Sequence, residues 1–293
     1  MRFVIICAAR TGSSHFASSL GGHPDIFMNG NIFDAGAPDR LYVFWPKEDA
    51  SDEVRKTLID LRKKDPMAFF DRVCSANYGR THVGFKMFQG ENDVVLDRLI
   101  ADTDIRKIIL FRRNILASFS SALVARETGK YGQRDGKIQR KDPPKVKFSP
   151  EKFASFHDRY MSFFQGVMEK VSNAGQYYFL MNYEDVNDPR VLADIAAFVG
   201  ADPSKPFSRE LQYKSQAKQN SANILSRFSN PLVVKEYLAE HGLRHWMHEG
   251  ELDMGRRLSV SEPEEGEPVD EGDGHQPSAA IEQPSNVSGT SPE

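Results

Sequence analysis

Apolar residues fall into short continuous runs separated by amphipathic stretches, which is the pattern of strands buried on both faces between covering helices. The runs Phe3–Ala8, His82–Met87, Lys107–Phe111 and Tyr177–Met181 predict four strands. Helical periodicity over Ser13–Leu20, Ser51–Lys64, Met67–Tyr78, Asn92–Ala101, Asn114–Thr128 and Pro150–Ser172 predicts the elements between them. Asp188–Val199, ending at Gly200, and Leu232–Glu240, ending before Gly242, complete a helical C-terminal part. Alternation of this kind predicts an α/β chain, a P-loop-like three-layer fold with a central parallel β-sheet flanked by helices.

Composition refines the picture at two places. All 38 Lys and Arg lie within residues 1–257, against 32 of the 41 acids, so this body carries a formal net charge of +6. Such a body suits an anionic ligand without singling one out. Residues 258–293 hold nine acids, no base and almost no large apolar side chains, which predicts an acidic, disordered tail after a domain spanning 1–257. Lys130–Lys147 gathers seven bases around Pro143-Pro144 and reads as a basic surface loop, either simply solvated or closing over an anionic acceptor. No apolar run approaches the roughly 20 residues that span a bilayer. With only Cys7 and Cys74 in the chain, nothing requires an oxidising compartment, and a cytoplasmic protein is expected.

The first strand runs into Ala8-Ala9-Arg10-Thr11-Gly12-Ser13-Ser14-His15 and then a helix. Small residues and Gly12 let the backbone approach a phosphate, and the helix N-terminus adds N–H donors and partial positive charge. The same sequence also fits an ordinary βα turn with a serine N-cap. The Gly-Lys-[Ser/Thr] signature of the Walker A loop is missing. After the third strand come Arg112-Arg113-Asn114 and, two helical turns on, Ser118, Ser120 and Ser121. A guanidinium at a strand end is a two-pronged phosphate donor, and strand C-termini are where open α/β sheets take ligands.

These two segments resemble the nucleotide-binding elements of sulfotransferases that use PAPS (3′-phosphoadenosine 5′-phosphosulfate), and most of all the bacterial carbohydrate sulfotransferases of the nodulation-factor and trehalose-lipid types. Arg10, Thr11, Gly12, Ser13, Ser14 and His15 fill the family's 5′-phosphosulfate loop. Arg113 and Ser121, eight residues apart, fill its 3′-phosphate element, with Arg112 and Ser120 as the alternative pair. Tyr183, in Asn182-Tyr183-Glu184-Asp185, stands where the family holds the adenine. Weaker likenesses run through Gly84-Phe85-Lys86 and Ala197-Phe198-Val199-Gly200, so the resemblance covers roughly residues 1–245.

The resemblance implies sulfuryl transfer from PAPS to a hydroxyl of a small-molecule, carbohydrate or glycolipid acceptor, with PAP released, no metal and no nucleic acid. Arg10 would neutralise charge on the oxygen released from sulfur. The family's base is a Glu in a Gly-Glu-x-Phe turn, yet the turn here reads Gly30-Asn31-Ile32-Phe33-Asp34. Asn31 cannot take a proton, which leaves Asp34 as the expected base, His15 or His82 as alternatives, or an inactive protein. Two other classes stay open at this point. One is a P-loop kinase-like enzyme, for which the loop Lys and acidic metal ligands are missing. The other is a non-catalytic PAP- or PAPS-binding protein.

Overall fold

The computed structural model describes residues 1–34, 51–129, 143–208 and 221–249, all within one compact unit, Met1–Leu252. The expected acidic tail at 258–293 and most of the expected basic loop lie outside the described residues.

Five parallel strands form one sheet: β1 (Arg2–Cys7), β2 (Ile26–Asn31), β3 (His82–Phe88), β4 (Ile105–Phe111) and β5 (Tyr178–Asn182), in the order β2-β3-β1-β4-β5. Among the described residues eight α-helices connect or follow them: α1 (Ser13–Gly21), α2 (Asp52–Lys64), α3 (Pro66–Ser75), α4 (Asp93–Ala101), α5 (Ile115–Thr128), α6 (Pro150–Asn173), α7 (Pro189–Phe198) and α8 (Pro231–Glu240). The α/β, P-loop-like expectation therefore holds. β2 is the strand that periodicity did not predict. Its sequence IFMNGN ends in Asn-Gly-Asn, which reads as a turn, although Asn29 and Asn31 are buried.

β1 sits at the centre and divides the core in two. Val4, Ile6 and Ala8 face one layer, packed with Phe69, Phe70, Leu99, Leu116 and Phe164 of α3 to α6. Phe3, Ile5 and Cys7 face the other, against Phe16 and Leu20 of α1 and Ile195 of α7. This alternation on a strand buried on both faces fixes the register of the whole sheet, because a slip of one residue would exchange the two layers. β1 pairs with β3 from Arg2 opposite Val83 to Cys7 opposite Phe88, and with β4 from Arg2 opposite Ile105 to Cys7 opposite Leu110. Chain turns after β1, β3 and β4 are thereby brought to one edge, on either side of the β1 terminus. That is the crevice where such sheets bind ligands.

The register depends on one close approach. A Cβ on Gly84 would stand 2.2 Å from the Phe3 ring and 2.7 Å from the Met28 sulfur. Gly84→Ala is therefore expected to cost about 1–3 kcal/mol by overpacking. A lowered urea midpoint, partly recovered when Phe3→Leu is added, would bear this out. An unchanged midpoint would contradict it.

Candidate functional site

The site begins where β1 ends. Arg10 (φ 67°) and Gly12 (φ 80°) both take left-handed backbone, so the chain turns sharply before α1. Glycine does this freely, whereas at Arg10 it costs about 1–3 kcal/mol and has to be imposed by surrounding contacts. Those contacts are present. Thr11, fully buried, donates its hydroxyl to the Ala8 carbonyl at 2.9 Å. The Arg10 carbonyl accepts from Arg112 Nη1 at 2.8 Å, and Gly12 O accepts the His15 and Phe16 N–H groups that open α1. Gly12 is needed for space as well as for its dihedral, because a Cβ there would lie 2.2 Å from the Tyr183 ring.

The second motif meets the first directly. Arg10 Nε donates to Ser121 Oγ at 2.8 Å across 111 residues of sequence, and Ser118 Oγ approaches the Arg10 carbonyl at 3.5 Å. Tyr183, from the 3-10 turn after β5, lies between the loop and Arg112, whose guanidinium sits 4.3 Å from the ring centroid. The ring expected for adenine is thus in the site, with Arg112 covering one face. Arg113 turns elsewhere, with its Nε 3.7 Å from Glu184 Oε2. No hydrogen bond joins Arg113 to Ser121 among the described contacts, and of the two adjacent arginines it is Arg112 that braces the loop.

Three further charged residues stand here that sequence reasoning did not assign. Lys86, buried in the middle of β3, donates from Nζ to Ser14 Oγ at 3.0 Å, which brings an ammonium to the start of α1. A lysine inside an apolar strand was the available signal. Arg227 donates to Ser120 Oγ at 3.1 Å and to Glu249 Oε1 at 2.6 Å, while Arg112 reaches the same oxygen at 2.5 Å. Arg227 and Glu249 lie in segments with no motif, so only the fold could bring them in. Burial, and then the like charge of Arg112, hold the Arg10 guanidinium below its usual pKa. Burial also raises the Glu184 carboxyl despite Arg113 and Arg112 nearby.

The acid–base candidates are placed unequally. His82 starts β3, seven residues of strand and about 20 Å from its other end, so it lies at the wrong edge of the sheet. His15 is near the loop, where Nε2 meets Asn187 Oδ1 at 2.7 Å. Asp34 follows β2, and its carbonyl accepts from Arg62 at 3.1 Å. Asn31, at the end of β2, donates through Nδ2 to Glu91 Oε1. The Cys7 thiol is pushed up to about 12 by burial, and so is chemically quiet. Among the described residues no group of three or more His, Cys, Asp or Glu side chains could hold a metal ion, and no helix is long and apolar enough to cross a membrane.

Chemically, the arrangement is an anion cradle. A helix N-terminus, three guanidiniums and an ammonium converge on it, and the Glu249 carboxylate already bridges two of the guanidiniums.

No family model matches the chain. It is 26% identical over 231 residues to nodulation protein H of Rhizobium tropici, covering 77% of this chain and 86% of that one. Among solved structures it is similar to a sulfotransferase from Alicyclobacillus acidocaldarius, at 14% identity and a TM-score of 0.43, covering 83% of this chain and 93% of the other. The resemblance to the sulfotransferase family drawn from the two motifs is borne out.

Glu249 supplies a test of the cradle. Glu249→Gln removes the shared partner of two buried guanidiniums and is expected to lower stability by about 3–5 kcal/mol. Added inorganic sulfate should recover much of that loss, because an anion can take the carboxylate's place. Chemical denaturation with and without sulfate checks this, and a loss indifferent to sulfate would contradict the cradle.

Proposed function

We propose that this chain, a sulfotransferase by family resemblance, moves a sulfuryl group from PAPS to a hydroxyl of a carbohydrate or glycolipid and releases PAP. The observation that carries the reading is the meeting of Arg10 and Ser121 at 2.8 Å. Two motifs far apart in sequence, each matched to a different phosphate of one donor, form one site. The residues present fit a doubly phosphorylated nucleotide. Gly12 lets the Tyr183 ring lie directly against the loop backbone, and the cations outnumber the acids around the loop. PAPS, when bound, would supply the group to be transferred, and everything else falls to the chain's own side chains.

In this reading Arg10, Thr11, Gly12, Ser13, Ser14 and His15 hold the 5′ end, with Lys86 reaching the same place through Ser14. Arg113 and Ser121 hold the 3′-phosphate, which requires Arg113 to leave Glu184, a pair 3.7 Å apart and therefore weakly joined. Tyr183 borders the adenine. Arg10 neutralises charge on the departing phosphate oxygen, a task for which a fixed and partly desolvated guanidinium is well suited. A carboxylate at the β2–β3 side takes the acceptor's proton, Asp34 being the residue expected from the turn sequence. Both cysteines are free and buried, in keeping with a cytoplasmic setting.

Transfer of radiolabelled sulfur from PAPS to a panel of mono- and oligosaccharides and glycolipids tests the reading. A labelled sugar product is expected, reduced about 100-fold or more in Arg10→Ala. PAP binding without transfer to any acceptor would favour a nucleotide-binding protein over an enzyme. No binding and no transfer would remove the proposal.

A further inference from the structure

We infer that Glu91, at the turn after β3, is the carboxylate that accepts the acceptor hydroxyl's proton, with Asn31 as the residue that positions it. This inference rests on the sulfotransferase reading and names a group within it. The turn sequence points to Asp34, but the geometry points to Glu91.

Three observations carry it. First, Asn31 is the last residue of β2, the position of the family's base, and its amide nitrogen is hydrogen-bonded to Glu91 Oε1. The carboxylate missing from that position therefore stands one hydrogen bond away, delivered from the neighbouring strand. Second, Glu91 lies beside the anion loop. Asn31 pairs in register with Lys86, Lys86 donates to Ser14 at the start of α1, and Gln89 N–H bonds to the carbonyl of Cys7, where the loop departs. Third, the carboxylate is half-buried and fixed, with Oε2 accepting the Phe88 N–H at 3.0 Å. A carboxylate has about four acceptor sites, so two remain after these bonds. Asn31 Oδ1 is buried and has no hydrogen-bond partner among the described residues, which leaves an acceptor atom next to Glu91 for a hydroxyl to donate to. The same turn also contributes Gln89, Gly90 and Asp93 to an open groove shared with Asp158, Arg159, Ser162 and Phe163 of α6.

Charge around Glu91 suits the role. Burial pushes its carboxyl up to about 6, and the nearby Asp34 adds to this. The Phe88 N–H, Asn31 and the Lys86 ammonium pull it back. The Cys7 thiol facing the same region stays neutral. A carboxyl so placed is ionised at neutral pH yet basic enough to take a proton. In the step, the proton passes from the acceptor hydroxyl to a Glu91 oxygen while the hydroxyl oxygen bonds to sulfur. The bond between sulfur and the 5′-phosphate oxygen breaks, and its electron pair leaves on that oxygen beside Arg10.

The experiment combines PAP release from PAPS, measured in water with the sugar panel, with carbon-13 NMR of the Glu91 carboxyl and calorimetry of PAP binding. In the wild type, release should fall on acidification through about pH 6, as the base is protonated. Glu91→Gln is expected to bind PAP within about twofold of wild type yet release it about 100-fold more slowly. Glu91→Asp should retain part of the activity, and the swap Asn31→Glu with Glu91→Gln should recover part of it. Asp34→Asn should move the acidic limb of the profile to lower pH, because the Asp34 charge helps to raise the Glu91 carboxyl. The Glu91 resonance should titrate near pH 6 and shift when PAP binds. Wild-type rates in Glu91→Gln, a Glu91 resonance indifferent to PAP, or no release from a wild type that binds PAP would each overturn the inference. Failure of the wild type to bind PAP would overturn the donor reading itself.

Discussion

Arg112 ties the end of β4 to the turn after β1. Its guanidinium donates to the Arg10 carbonyl, lies over Tyr183 and meets Glu249, while its backbone N–H is held by the buried Tyr160 hydroxyl at 2.9 Å. A left-handed arginine next to a left-handed glycine is not a conformation that the loop keeps by itself. The β4 end, braced through Tyr160 on α6, imposes it from outside. Without that brace the Arg10 carbonyl loses its guanidinium donor, and the Tyr183 ring keeps only the Gly12 side of its packing. The shape of this turn is therefore a property of the sheet register, which sets the β1 and β4 termini side by side.

Packing so many cations in one place is unfavourable unless anions share it. Glu249 neutralises Arg112 and Arg227, Glu184 stands beside Arg113, and Glu91 lies within electrostatic reach of Lys86. The protein thus surrounds the cradle with carboxylates that hold its guanidiniums in place. A dianionic group entering it would compete with Glu249 and Glu184 for the same donors. Glu91 differs from them, being tied to an amide and a backbone N–H rather than to a guanidinium.

Much of this was legible in the chain, and the exceptions have physical causes. Largely apolar runs revealed β1, β3, β4 and β5, because strands of a sheet covered by helices are mostly apolar. β2 escaped because its C-terminal half is polar, and its asparagines are buried through contacts that no periodicity reports. The turn from Arg10 to Ser14 between β1 and α1 could be read because local backbone chemistry defines it. Arg227, Glu249 and Glu91 could not, since each enters through tertiary contacts between segments with no signature. The spacing of Arg113 and Ser121 matched a motif, but spacing says nothing of which adjacent arginine faces inward, and Arg112 does so here.

In the proposed function the loop after β1 and the segment from Arg113 to Ser121 together bind one nucleotide bearing a phosphate at each end. Titration calorimetry with PAP, on the wild type and on Arg113→Ala, tests it most directly. The account predicts saturable binding by the wild type and a loss of about 1.5–3 kcal/mol, tenfold or more in Kd, on removing the guanidinium. No heat of binding from the wild type at millimolar PAP, or equal affinity in the two proteins, would contradict it.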